Sequence, residues 1–403
     1  MMLLTPHRNN NLYRYQLNDF DNLSQGTKGI CVETITSTET FSKLEKVWCE
    51  LCDRAPEHSF FQTYTWTWSW WKYIGEPTGY ALRLITIRED GRLVLIWPII
   101  TRRQGFWIVG SWLGSETNQY CDVIIEAGVN RNTWLKTAWH AIKTDCTIDV
   151  FRLEGIRKDS AIRQFLNKKN GNLKSVASSV YINIHEFPDW QKFSIGLKRK
   201  FWKDLLRTRR RLNEKGQLVH KILNDPSEIK KAISKSIKFK LEWLRARNNY
   251  GRLLEKPEAE QWLINTALAA HYNNTLIMTT LNLNDAIIAC QIGFLYHRSF
   301  YCFLGAYDLN YSAFQPGKIE TSDTLKWAFE NNVDTYDLMP PLENYKKYWV
   351  QHEDSIETFT SYATSWGRMS KIWYNIGLRD KAIGIYHHLP RKLRKFSAQL
   401  LSN

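Results

Sequence analysis

The stretch Tyr296 to Trp349, YHRSFYCFLGAYDLNYSAFQPGKIETSDTLKWAFENNVDTYDLMPPLENYKKYW, constrains the fold most, because it alternates element types with clear punctuation. Phe300 to Leu304 is a short apolar run, Asp308 to Ser312 is turn material, and Pro316-Gly317 stands where a helix begins. Ile319, Leu325, Trp327, Ala328 and Phe329 then fall near helical spacing, and Asn331-Asn332 closes the helix before the strand-like Val333 to Leu338. A strand that feeds a helix through a tight turn leaves N–H groups pointing outward, which favours a phosphate or pyrophosphate.

A related pattern occurs earlier. Ala81 to Arg88 and Arg92 to Ile100 flank Glu89-Asp90-Gly91, and Asp-Gly between two alternating apolar runs predicts a hairpin. Phe106 to Leu113 and Cys121 to Ile125 follow as strands, Thr133 to Lys143 as a helix and Ile148 to Leu153 as a strand. In the second half, Leu276 to Leu283, Asn284-Asp285 and Ala286 to Leu295 form another hairpin ahead of Phe300 to Leu304. Setting ALRLITIREDGRLVLIWPII beside LIMTTLNLNDAIIACQIGFL, and TWLKTAWHAIKTDCTIDVFRLEG beside DTLKWAFENNVDTYDLMPP, gives one element order twice, as an internal duplication would.

The remainder frames these units. Residues 1–30 are polar and Asn-rich and read as a loosely attached leader. Phe41 to Asp53 reads as one helix and the aromatic FFQTYTWTWSWWKYIG, Phe60 to Gly75, as a second. Between the halves lie helical stretches: FSIGLKRKFWKDLLRTRRRLNEKG, Pro226 to Asn248 and Pro257 to Asn273. Ile356 to Tyr362 is a strand expected to join the second sheet, and a basic helical tail runs from Lys371 past Pro390. The boundaries expected are 1–30, 31–180, 181–365 and 366–403.

At 403 residues, with 43% hydrophobic and 14% aromatic side chains, the chain can bury two cores. No apolar run reaches membrane-spanning length, and the N-terminal apolar patch is too short for a secretory signal, so a cytoplasmic protein is expected. Seven scattered cysteines argue for reduced thiols. The net charge of +15 calls for an anionic partner: a phosphorylated cofactor, an acyl carrier protein, an anionic membrane face or nucleic acid. Nucleic acid is disfavoured as the primary partner, since no zinc-finger, RRM or helix-turn-helix pattern accompanies the charge.

Lys198 to Lys215 holds nine Lys or Arg against Asp204 and Glu214, while Phe201, Leu205, Thr208 and Leu212 keep one apolar face. Arg207, Arg209, Arg210 and Arg211 could grip cofactor phosphates; the plain alternative is a solvated face. Cys49 and Cys52 have CxxC spacing but no second pair, and no histidine motif suggests a metal, so none is expected. Asp337, Glu343, Tyr345 and Lys346 crowd into the loop after the last strand, where acid-base groups of an αβ fold can sit; the plain alternative is a polar surface turn.

Taken together, FFQTYTWTWSWW, GRLVLIWPII, LRTRRRLNEKG, FLGAYDLNYSAFQPGKI and YDLMPPLENYKKYW resemble the CelD-like (cellulose biosynthesis) branch of the GNAT acyltransferase superfamily. That branch is similar to the FemAB-type peptidyl transferases built from two GNAT-like halves. The resemblance runs from about Cys31 to Trp349. It implies an α+β fold of two GNAT-like halves, with mixed, mostly antiparallel sheets flanked by helices and a helical segment between them. It also implies transfer from acetyl-CoA or another acyl-CoA to a small-molecule or sugar acceptor. Gln315, Pro316, Gly317 and Lys318 fall at the family's cofactor loop, with Arg207, Arg210 and Arg211 as further phosphate contacts. Tyr307 and Tyr311 fall in its aromatic turn, and Asp337, Tyr345 and Lys346 in its final strand and YK motif. Asp337 or Glu343 is then the base, Tyr345 the acid, and Tyr307, Tyr311 and Lys346 substrate contacts.

Three readings of function follow. The first is acyl-CoA-dependent N- or O-acyl transfer to a precursor of an envelope or secreted polysaccharide. The second is FemAB-like transfer from aminoacyl-tRNA. The third is a non-catalytic scaffold on the inner membrane face or a synthase complex, held by LPRKLRKFSAQLL and the preceding Trp373, Tyr374 and Tyr386.

Overall fold

The computed structural model describes residues 12–16, 29–145, 147–249 and 253–375. These divide into two compact units: one of residues up to 174 together with those from 357 onward, and one of residues 175–356, which also takes in 72–74.

The first unit opens with β1 (Leu12–Gln16) and β2 (Ile30–Ile35), which pair antiparallel. The expected leader therefore contributes a strand; the rest of 1–28 lies outside the described residues. The single helix expected over Phe41 to Asp53 is two, α1 (Thr38–Ser42) and α2 (Glu45–Cys52). Ser37 starts α1 early by accepting from the Thr40 N–H. The amides of Lys43 and Leu44 then bond three residues back, to Thr40 and Phe41, which tightens the turn and ends the helix. The aromatic segment forms α3 (Tyr64–Trp70), with a 3₁₀ turn before it and a π turn after it.

β3 (Ala81–Glu89) and β4 (Arg92–Gln104) form the predicted hairpin. Asp90 and Gly91 both take positive φ (50° and 80°), as a two-residue turn that matches strand twist requires. β5 (Trp107–Trp112) pairs with β4, the short β6 (Ile124–Ile125) also pairs with β4, and α4 (Arg131–Asp145) leads to β7 (Val150–Ile156) and α5 (Arg163–Asn167). β5 and β7 are parallel. The core joins Trp97, Trp112, Trp134, Trp139, Phe151 and Phe165 to the aliphatic side chains of β3 and β4.

The second unit begins within β8 (Asn172–Asn183), which the sequence pattern does not reveal. It continues through α6 (Trp190–Gly196), α7 (Arg199–Asn213), β9 (Leu218–Ile222), α8 (Pro226–Ala246) and α9 (Pro257–Tyr272). Then come β10 (Leu276–Leu283), β11 (Ala286–Tyr296), β12 (Ser299–Tyr307), α10 (Pro316–Glu330) and β13 (Thr335–Asp337). Its sheet order is β8-β13-β12-β11-β10-β9, with β12 and β13 parallel and the other neighbours antiparallel. β2-β3-β4-β5-α4-β7 and β9-β10-β11-β12-α10-β13 thus follow one plan, as the duplication predicts. α7 buries Phe201, Leu205, Thr208 and Leu212, the apolar face read from its spacing.

β14 (His352–Tyr362) corrects one expectation. Its residues 357–362 pair with β7, so this part of the strand belongs to the first unit's sheet. The chain passes into the second unit at β8 and returns within β14. A helix, α11 (Ser365–Asn375), follows; the remainder of the basic tail, 376–403, lies outside the described residues.

Candidate active site

The second unit's parallel strands part company. β12 and β13 pair over three positions only, Ser299 with Thr335, Phe300 with Tyr336 and Tyr301 with Asp337. Beyond that, Leu338 N donates to Val180 O at 2.9 Å and follows β8, while β12 stays with β11 as far as Tyr307. Among the described residues no strand pairs with 302–307 on the vacated edge. A split of this kind leaves backbone polar groups available to an extended ligand.

The loop after β13 gathers the predicted acid-base residues. Asp337 is buried, and its Oδ1 accepts from Met339 N at 2.7 Å and from Ser179 Oγ at 3.5 Å. Lys346 is also buried, its ammonium donating to Met339 O at 2.7 Å and Pro341 O at 2.9 Å, so it spans the cis Pro340-Pro341 turn. Burial lowers the Lys346 pKa, and Lys240 adds to that, while Cys302, Glu343 and Asp337 oppose it. Glu343 and Tyr345 are half-buried. Desolvation, then the charges of Cys302, Glu343 and Glu320, hold the Tyr345 phenol well above its ordinary value, so it stays protonated at neutral pH.

Five groups here carry no sequence motif. Lys240 of α8 has its pKa lowered by burial while Glu343 and Cys302 act against that. The Cys302 thiol on β12 is pushed up to about 12, chiefly by desolvation. Glu320 lies in the N-terminal half of α10, only 2% exposed, accepting from Thr279 Oγ1 and, at 2.7 Å, from Thr324 Oγ1. His220 Nε2 lies 3.2 Å from Thr324 Oγ1 and 3.9 Å from Glu320 Oε1. Gln291 Nε2 donates to Tyr336 OH at 2.8 Å beside them. The available signal was the hydroxyl-rich run ETSDT within α10; buried polar groups there must be paired, and Glu320, Thr321 and Thr324 are.

The expected phosphate loop is less open than its sequence suggests. Gln315 N donates to Ser312 O at 3.0 Å and Lys318 N to Gln315 O at 2.9 Å, while Pro316 has no N–H. Gln315 itself is exposed and left-handed, with φ 49°. Tyr307 packs on Gly317, where an added Cβ would come within 3.2 Å of its ring, and Tyr311 packs on the unit's core. Lys318 Nζ sits over the rings of Tyr348 (5.1 Å) and Phe201 (5.6 Å).

The arginines of α7 spread out. Arg211 lies over the Phe314 ring at 5.0 Å, beside the Gln315 loop. Arg209 pairs with Asp323, Arg207 with Asp204 at 3.1 Å, and Arg210 with Glu214 at 3.9 Å. The Cys49 thiol of the CxxC pair is pushed up by desolvation and then by Glu45, Asp53 and Glu50, so it is not an activated nucleophile. No cluster of His, Cys, Asp or Glu among the described residues could hold a metal.

The tandem αβ units and the split sheet form a GNAT-type fold. Residues 199–347 match the family described as "Acetyltransferase (GNAT) domain". The fold of the crystal structure of FemX is similar: TM-score 0.55 at 11% identity, covering 79% of this chain and 96% of that one. So is that of the C-terminal domain of a protein described as a lysylphosphatidylglycerol synthetase from Agrobacterium fabrum, with TM-score 0.51 at 8% identity, covering 84% and 97%. No curated protein sequence matches the chain. Among the described residues no helix is long and apolar enough to cross a membrane.

Proposed function

We propose that the second unit transfers an acyl group from an acyl-CoA to an amine or hydroxyl acceptor, with the thioester laid along the vacated edge of β12. The observation that carries the reading is the parting of β12 and β13 with Glu343, Tyr345 and Lys346 gathered beside it. Glu343 is the base. Asp337 is already engaged by the Met339 amide and Ser179, and with Lys346 it positions the loop. The acceptor's lone pair attacks the thioester carbon, Glu343 takes the acceptor's proton, the C–S bond breaks, and the Tyr345 phenol protonates the departing thiolate. Tyr307, Tyr311 and Lys318 line the approach, with Arg211 over the Phe314 ring beside the Gln315 loop. The resemblance to the CelD-like branch supports a sugar or amine precursor of a polysaccharide as acceptor, and a cytoplasmic setting.

A panel of acyl-CoAs tests the donor, since a ligand bound only by the folded state raises its apparent stability. A rise in melting temperature with at least one of them is expected. No rise with any, at concentrations far above about 1 μM, overturns the reading.

One observation favours a second donor. The α10 N-terminus keeps few open N–H groups, whereas α7 exposes Lys203, Arg207, Arg210 and Arg211, which suits a longer polyanion such as aminoacyl-tRNA. Saturable binding of aminoacylated over uncharged tRNA, together with silence toward acyl-CoA, would select that donor.

A further inference from the structure

The first unit carries an exposed aromatic patch that the transfer chemistry leaves unused. The β4–β5 turn reverses at Gly105 (φ 60°) and sets Phe106 at its tip, 75% exposed. Helix α11 brings Trp366 and Met369 to the surface, 48% and 51% exposed. The patch is built and not frayed: Trp107 Nε1 donates to Trp366 O at 3.0 Å, Trp366 Nε1 donates to Phe106 O at 3.3 Å, and the two indoles lie 6.3 Å apart. On its other side α11 is anchored. A Cβ on Gly367 would stand 2.1 Å from Asp149 O, Ser370 is fully buried, and Thr364 Oγ1 donates to Asp149 Oδ1 at 2.7 Å.

Two features say what such a patch fits. Exposed Arg103 and Arg368 stand next to it in sequence on the same two elements, and α11 leads into 376–403, which holds six Lys or Arg against Asp380 alone. Both indole N–H groups are already satisfied by backbone carbonyls, so the rings can leave water without stranding a donor. Four apolar side chains are too few for a stable protein interface, but rings at headgroup depth with arginines reaching phosphates are what an interfacial anchor requires.

We propose that this patch docks the protein on an anionic bilayer surface, with Phe106 and Met369 inserted at the headgroup–acyl boundary, Trp107 and Trp366 at headgroup level, and Arg103 and Arg368 on lipid phosphates. Docking is separate from catalysis and does not depend on the donor.

Co-sedimentation of the full chain with vesicles of phosphatidylcholine alone, or with about 30 mol% phosphatidylglycerol, tests it. Binding is expected only with phosphatidylglycerol, and weaker in high salt. The double variant Phe106→Asp/Met369→Asp, at exposed positions that leave the fold intact, should bind at least about 10-fold less at an unchanged melting temperature. Arg103→Glu/Arg368→Glu should lose the preference for the anionic lipid. Indifference of the unaltered chain to both vesicles overturns the proposal. So does a double variant that sediments normally while Lys392→Glu/Arg394→Glu abolishes binding, because the C-terminal segment alone would then be the anchor. Concentration-dependent dimers that Phe106→Asp/Met369→Asp dissolves, without vesicle binding, would assign the patch to a second copy.

Discussion

Both units split a parallel strand pair, yet among the described residues only one split is plugged. In the first, β5 and β7 pair over Val109–Val150 and Gly110–Phe151 before diverging. The chain fills that gap itself: Cys121 N donates to Gly155 O at 2.8 Å, and Tyr120 and Cys121 are buried. Asp122 ties the plug down by accepting from Ala161 N at 2.7 Å and Ile162 N at 3.1 Å. The helices differ in the same sense. α4 buries Trp134, Leu135, Ala138, Trp139 and Ile142, whereas α10 buries Glu320, Thr321, Ser322 and Thr324 beside Ile319 and Leu325. The lesson is that one plan served twice, once as a closed apolar support and once as an opening lined with paired polar groups.

The sharpest way to break this contrast is Glu343→Gln. Loss of a general base costs about 10²- to 10⁴-fold in rate, on the order of 3–5 kcal/mol in the barrier, while a half-buried loop residue costs about 0.5 kcal/mol in stability. Transfer assays with acyl-CoA beside denaturant titration check both. An unchanged rate would remove Glu343 as base.

Next comes the plug's anchor. Burial raises Asp122 from 3.8 to about 7 against the pull of its three amide donors. The folded state therefore holds this proton longer than the unfolded chain, so stability falls as pH rises from about 4 to about 7 and is flat outside that window. The slope is on the order of 1.4 kcal/mol per pH unit at its steepest. Denaturant titration across the window should show the slope in the native sequence and lose it in Asp122→Asn. An equal slope in both would refute the assignment.

A smaller effect is expected at Gly155, where φ is 76° and a Cβ would lie 3.3 Å from Cys121 N and Gln119 O. Gly155→Ala should cost about 1–2 kcal/mol and loosen the plug without changing acyl-CoA affinity, as the proposed donor site lies in the other unit. A matching loss of affinity would mean that the two splits are coupled.

Much of this was legible beforehand for a physical reason. Hairpins with Asp-Gly or Asn-Asp turns, the α7 face and the duplicated order rest on local spacing, which backbone geometry imposes directly. β8 was not, because its Asn172 to Ser178 part mixes exposed and half-buried residues without regular alternation. β14 was seen, but β7, with which its residues 357–362 pair, lies some 200 residues earlier in the chain, and spacing says nothing of register at that distance. In the proposed site, the loop from Asp337 to Lys346 drew notice through its crowding of ionisable groups. Glu320 was not, since a lone carboxylate on a helix ordinarily faces water.

The least disruptive substitution bears on the strand–helix junctions. The first unit approaches α4 through Gly128, whereas the second turns into α10 through Gln315 in the left-handed region at φ 49°. A side chain there costs about 1–2 kcal/mol, and glycine returns part of that gain through the freer unfolded chain, so Gln315→Gly should stabilise by at most about 1 kcal/mol. Gln315→Ala keeps the strain while removing the amide, and the pair separates backbone from side chain. If Gly stabilises while both variants lose acyl-CoA affinity equally, the strained residue is there for its amide at the open split. If affinity falls in Gly alone, the rigid turn matters and the amide does not. A destabilising Gln315→Gly would mean that the junction is not strained, and would erase this difference between the two units.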